Sequence, residues 1–380
     1  FLTSAVEESI DTLLGFIHDG KEVICTGCMV SRYGNELLKE LPEVNLFAGP
    51  GTYADIVRAM QSGQRVLLPR FEGVVSRSTC TTGAFAYVKA SEGCSNHCSY
   101  CLIPSIRGEL VSKPLASVVD ECRELSEHGV KEIILVAQDL GGYGSDRGGA
   151  NTLPDLVNTI SLIDGIEWIR LMYMHPATTT ASIVETMVSN PKVVPYIDLP
   201  IQHISEQVLA AMGRKGGARA VWNALNLLKK KAPDIWIRTT LMLGHPGEDE
   251  KAYKELEDFI ASGLIDHLGV FAYSQEEGTP SACLEDRLPP EIKQARCDRI
   301  MEIQQELSCK KLEKQLGRTL TVLVEGRHPE TDLLLIGRAA FQAPEIDGHV
   351  IINDGSAAFG SFSPVEITET MEYDLVGRIV

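Results

Sequence analysis

Basic residues are the scarce class in this chain: 35 Lys and Arg stand against 52 Asp and Glu, a formal charge of −17 over 380 residues. A protein that grips a phosphate backbone needs lysine and arginine to replace the counterions there. The balance therefore argues against nucleic acid and for a small, neutral or basic partner. Long apolar runs are missing as well; no eighteen consecutive apolar residues occur, so no membrane span is expected. There is no secretory signal pattern, no low-complexity segment and no repeat beyond a β/α rhythm. The ten cysteines are spread along the chain rather than packed into a short domain, which excludes a secreted disulfide scaffold. The first residue is Phe1 and not methionine, so a truncated N-terminus is expected.

What is present is a globular composition, 44% hydrophobic and 23% charged, long enough for two or three cores. Residues 1–75 read as a small α/β unit, with helical spacing of Ile10, Leu13, Leu14 and Ile17, a strand at KEVICTGC and a second helix around YGNELLKEL. Residues 80–313 alternate β-rich runs with amphipathic helices. The runs are AFAYVKAS, EIILVAQD, WIRLMYMH, YIDLPIQ, WIRTTLMLG and LGVFAYS. Six such runs with helices between them predict right-handed parallel crossovers and a partial (β/α)6 barrel. A helix of roughly 290–316 leads out of it. Residues 314–380 change to short alternating strands broken by glycine, proline and aspartate, the pattern of a small antiparallel barrel of about five strands.

Function is concentrated in SEGCSNHCSYCLIPSIRG, where Cys94, Cys98 and Cys101 have the spacing CxxxCxxC. The loop directly follows the first barrel strand, at the end of a parallel barrel that carries ligands. Three thiolates on one loop can hold three irons of a cubane cluster and leave the fourth iron open. A zinc site is the rival, closed by a fourth ligand such as His97; three unrelated thiols are another. Cys122, Cys297 and Cys309 fall in helical stretches and read as inert thiols. Cys25 reads as a buried strand thiol.

CxxxCxxC on the first loop of a β/α barrel resembles the radical S-adenosylmethionine (SAM) enzymes. In that family the open iron chelates SAM, whose one-electron cleavage yields a hydrogen-abstracting deoxyadenosyl radical. Tyr100 then matches the aromatic position that packs near the adenine. The resemblance extends over essentially the whole chain. TGC at Cys28 is similar to the N-terminal domain of the methylthiotransferases, and the terminal barrel is similar to their TRAM domain. Those enzymes carry two [4Fe–4S] clusters. Cys28 matches the last of three ligands of the auxiliary cluster, and the other two are absent from this sequence, so one cluster is expected here. IPSIRGELVSKP, AQDLGGYG, DLPIQHISEQVLAAMGR, FQAPEIDGHVIIND and MEYDLVGRIV resemble the branch that modifies ribosomal proteins, the RimO type.

The resemblance implies methylthiolation of the β-carbon of an aspartate in the twelfth small-subunit ribosomal protein. The alternative is a tRNA methylthiotransferase acting on a modified adenosine. Acidity favours the first, because ribosomal proteins are basic and an acidic enzyme is steered to them. An electron donor such as flavodoxin or ferredoxin and a cytoplasmic setting are implied. Other polar residues sit at predicted strand ends: Gln138 and Asp139, His175, Gln202 and His203. Gln138, Gln202 and Arg238 are, with Tyr100, the expected SAM contacts. Arg238 lies inside a strand, and an internal carboxylate such as Asp198 would serve it equally well. GHPGE at 244–248 permits close backbone approach to adenine or ribose, or forms an ordinary tight turn.

Overall fold

The computed structural model describes residues 2–69, 83–149, 151–286 and 288–380. Cys80 and the expected boundary near 75–80 lie outside them. Helix α1 (Thr3–His18), strand β1 (Ile24–Thr26), helix α2 (Cys28–Glu40), strand β2 (Leu46–Ala48) and strand β3 (Val66–Leu67) form the first unit. Its strands make a parallel sheet in the order β1-β2-β3. Leu13 of α1 packs with Val23, Val30, Leu37 and Phe47. Leu14, one residue and about 100° further round the helix, turns to solvent.

Six parallel strands follow: β4 (Phe85–Lys89), β5 (Glu132–Val136), β6 (Trp168–Leu171), β7 (Val193–Asp198), β8 (Trp236–Leu243) and β9 (His267–Ala272). They pair in sequence order, from β4 at one edge to β9 at the other. Between them run α3 (Leu115–Glu127), α4 (Leu153–Ser161), α5 (Ala181–Ser189), α6 (Glu206–Ala211), α7 (Gly217–Lys231) and α8 (Glu250–Ala261). The strands read as near-continuous apolar runs because both faces are covered. Ile133, Leu135, Ile169, Ile197 and Ile237 pack under the helices. Ile134, Met172, Tyr196 and Trp236, on the alternate face, pack instead against the C-terminal unit.

Helix α9 (Pro290–Glu313) leads to that unit, a closed barrel of β10 (Thr319–His328), β11 (Thr331–Ala339), β12 (Val350–Asp354), β13 (Phe362–Thr370) and β14 (Leu375–Ile379). The order around it is β10-β11-β12-β14-β13, and β12 and β14 run parallel. A ring with an odd number of strands cannot alternate direction all the way round, so five strands require one parallel pair. The expected barrel is thus antiparallel at every seam but that one.

The two barrels meet over a buried ionic network. Glu132 of β5 accepts from Arg170 Nε at 2.7 Å and from Arg338 Nη2 at 2.5 Å, and all three side chains are fully buried. Arg170 also donates to Ala340 O at 2.9 Å, and Arg338 is 2.6 Å from Glu325. Burial alone would raise the pKa of Glu132, but the two guanidiniums outweigh it and hold the carboxyl below its usual range. This contribution to stability is therefore full at neutral pH and is lost as the pH falls through the depressed folded pKa. Glu132→Gln leaves two buried arginines undercompensated. It should lower stability by about 3 kcal/mol and flatten the acid limb of the stability curve. Denaturant titrations across pH measure both, and an unchanged midpoint at neutral pH contradicts the assignment.

Candidate functional site

The loop that carries Cys94, Cys98 and Cys101 leaves the C-terminal end of β4 and is pinned at its base. Ser91–Glu92 pair with Val111–Ser112 as a short antiparallel ladder. Gly93 turns there with φ +72°, and a Cβ on it would overlap Glu109 O and Gly108 O. Only glycine fits that crossing. Cys94 N–H then donates to Gly108 O at 3.1 Å, and Cys101 N–H to Cys98 O at 3.1 Å. From outside the loop, Ser99 N–H donates to Met212 O and Ser281 N–H to Ser99 O, each at 2.8 Å.

Each thiol receives one N–H donor. Asn96 N is 3.5 Å from Cys94 Sγ, Ile103 N is 3.4 Å from Cys101 Sγ, and Arg214 Nη1 is 3.6 Å from Cys98 Sγ. Donors aimed at sulfur stabilise the thiolate over the thiol and are the arrangement by which a protein tunes a sulfur-ligated cluster. Burial pushes the Cys94 thiol up and the Cys101 thiol up to about 11. Without a cation these two stay protonated at neutral pH; with one, they are preset ligands. The donor set, all sulfur and all hydrogen-bonded, fits an iron–sulfur cluster.

Around the loop stand the other polar residues. Asp139 accepts from Asn96 Nδ2 and from Thr178 Oγ1, both at 2.8 Å, and so ties the thiol loop to the turn after β6. Gln138 Nε2 lies 3.5 Å from Glu92 Oε1, and its own Oε1 is buried without a hydrogen-bond partner among the described residues. Tyr100 is half-buried and meets the His245 ring edge to face at 6.2 Å. Gln202 holds a left-handed φ of +71° and bridges to Leu241. Backbone strain of this kind gathers at functional sites. In the GHPGE turn, Gly244 N–H donates to Glu248 Oε2 at 2.7 Å and Arg296 Nη1 to Glu248 Oε1 at 2.5 Å. Arg238 sits three residues before Leu241 on β8 and pairs with Asp198 at 3.2 Å, the internal carboxylate named as its alternative partner.

Cys28 opens α2, and Arg107 Nη2 donates to its sulfur at 3.1 Å while Arg107 Nη1 reaches Glu92 at 2.5 Å. One guanidinium thus brings Cys28 to the rim of the thiol loop. Cys25 is buried in β1 and its thiol is pushed up by burial. Sequence reading passed over Arg107 and Arg214, although both lie in strings it had marked, IPSIRGEL and AAMGR. Nothing in spacing alone says that an arginine will turn towards sulfur.

Residues 88–260 match the radical SAM superfamily and residues 316–380 match the TRAM domain. The ribosomal protein uS12 methylthiotransferase RimO of Desulfotalea psychrophila is 40% identical over 394 residues, covering 100% of this chain and 89% of that protein. Its counterpart from Anaeromyxobacter sp. strain Fw109-5 is 42% identical over 391 residues, covering 100% and 83%. The chain belongs to the RimO family. Among solved structures, the radical SAM methyltransferase TsrM of Kitasatospora setae, with cobalamin and a [4Fe–4S] cluster bound, superposes with a TM-score of 0.52 at 15% identity. That match covers 83% of this chain and 62% of that one. At that identity the likeness supports the fold alone, and it agrees with the open parallel barrel of this RimO-family chain.

The glycine crossing makes a prediction. Gly93→Ala costs about 1–2 kcal/mol from φ alone, and relieving the clash displaces the loop. The variant should fold with a lowered melting temperature and take up clearly less iron on anaerobic reconstitution than the unaltered chain. Full iron uptake by it contradicts the geometry given to the loop.

Proposed function

We propose that this chain is the radical SAM methylthiotransferase of a basic small-subunit ribosomal protein, uS12, acting on the β-carbon of an aspartate. The observation that carries the reading is the CxxxCxxC loop, with one N–H donor on each sulfur, at the C-terminal end of the first barrel strand. Cys94, Cys98 and Cys101 hold a [4Fe–4S] cluster. When bound, the cluster and SAM supply the one-electron chemistry that activates a C–H bond; protein groups mostly position them. Among the described residues no three His, Cys, Asp or Glu side chains gather tightly enough for a single ion.

Tyr100, Gln138 and Gln202 line the mouth of the barrel and are assigned to SAM. Arg238, the fourth residue assigned to SAM, is already paired with Asp198 at 3.2 Å and lies 3.7 Å from Asp347 of the C-terminal unit. Cys28 serves a second cluster whose remaining ligands are not in this sequence, with Arg107 holding it towards the first. We divide the chain at 1–75, 80–313 and 314–380; the three-stranded sheet, the six-stranded sheet and the closed barrel fall one in each part. No described helix is long and apolar enough to cross a membrane. The net charge of −17 suits a basic protein substrate and disfavours tRNA. A flavodoxin- or ferredoxin-like donor and a cytoplasmic setting follow from the same chemistry.

The test is anaerobic turnover of the full-length reconstituted protein with SAM, a reductant, sulfide as the sulfur source and either uS12 or tRNA, read by mass spectrometry. One aspartate of uS12 should exchange a hydrogen for a methylthio group, Cys98→Ala should abolish this, and tRNA should stay unmodified. Modification of an adenosine, with uS12 untouched, would move the chain to the tRNA branch.

A further inference from the structure

Two buried histidines use the same local device. His203, after β7, accepts the Ser205 N–H on Nδ1 at 3.0 Å, and His175, after β6, accepts the Ala177 N–H on Nδ1 at 3.0 Å. A ring nitrogen that accepts carries no proton, so each neutral ring has its proton on Nε2. Burial pushes both rings down to about 3, so both are neutral at physiological pH.

Both Nε2 atoms are buried and, among the described residues, neither is hydrogen-bonded. They differ in what lies nearest: His203 Nε2 has the Glu248 carboxylate at 3.6 Å, inside the fold, whereas no carboxylate lies within 4 Å of His175 Nε2 among the described residues. His175 is only 5% exposed. A buried donor left unmade is expensive, and native proteins rarely keep one without a use.

Its surroundings point to a ligand of one sign. Through Thr178 and Asp139 the turn of His175 is tied to Asn96 of the thiol loop. Arg214 and Lys215, both from beyond α6, add to burial in disfavouring the charged ring. Arg214 gives its donors to Pro200 O and Cys98 Sγ, and neither cation is ion-paired with a carboxylate among the described residues. An unpartnered N–H is thus tied to the thiol loop, and Arg214, an uncompensated cation, lies 3.6 Å from Cys98 Sγ.

We propose that His175 Nε2–H donates to a carboxylate bound over the thiol loop, in the field of Arg214 and Lys215. The inference rests on the radical SAM reading of the site, which offers two carboxylates: that of the methionyl group of SAM and that of the target aspartate. In this role His175 is a positioning residue whose neutral form supplies a fixed donor.

The experiment compares the full-length reconstituted protein with His175→Phe, which keeps the ring and loses the donor, and His175→Gln, whose amide N–H restores one. Lys215→Ala, at an exposed position that leaves folding alone, is the control against a merely structural effect. Iron content, SAM affinity by equilibrium dialysis and KM for uS12 are read for each. His175→Phe should keep its iron and lose about 10- to 100-fold in one affinity. His175→Gln should recover most of it, and Lys215→Ala should lose about two- to five-fold in the same one. Weakened SAM binding identifies the cofactor carboxylate; normal SAM binding with raised KM identifies the aspartate. His175→Phe and Lys215→Ala that bind both as the unaltered protein does overturn the inference. Failure of the unaltered protein to take up iron removes the radical SAM reading and this inference together.

Discussion

One buried carboxylate decides how the two barrels meet. An open sheet of six parallel strands has an inner face that must be covered, and here the C-terminal barrel covers it from one side. Apolar packing supplies the area, with Trp236 stacked on Phe341 at 4.1 Å, but apolar contact is not directional. Glu132 is. Held between Arg170 of the half-barrel and Arg338 of the small barrel, it fixes the register of one against the other. Asp347, from the same C-terminal unit, adds a second point of attachment through Tyr196 Oη at 2.8 Å. With that side closed, the strand ends that carry the thiol loop remain the place where ligands can enter.

At those strand ends the chain accepts unfavourable local chemistry. Burial opposes ionisation of Cys94 and Cys101, and the N–H donors on the sulfurs offset it only in part. The loop is therefore incomplete as protein alone and becomes favourable when a multivalent cation takes the thiolates. The remaining polar groups serve its position: Asp139 ties it to the turn after β6, Arg107 ties it to Cys28, and Arg214 reaches it from beyond α6. A site tied to so many separate elements depends on the whole barrel being in register.

Much of this was legible from residues alone, and the reasons are physical. Parallel strands covered on both faces leave long apolar runs, so all six barrel strands could be read from EIILV-like segments. The five-stranded barrel showed in its alternation and its glycines. The thiols showed because three cysteines at this spacing have few other uses. What sequence did not show was pairing across long distances. Arg238 could be read towards a cofactor or towards Asp198, and only the fold brings Asp198 within 3.2 Å. Arg214 and Cys98 are 116 positions apart, and no periodicity links them. His175 and His203 look alike in sequence, each with a backbone N–H two residues on; the difference lies in whether Glu248 is opposite.

The central claim is that Cys94, Cys98 and Cys101 hold one iron–sulfur cluster, and its most direct test is chemical. Iron and labile sulfide are measured after anaerobic reconstitution of the full-length protein, beside a variant in which all three cysteines are alanine. The account predicts that the variant binds about four fewer irons and four fewer sulfides per chain and loses the corresponding visible absorption. Equal iron in the two proteins, or zinc in place of iron, contradicts it.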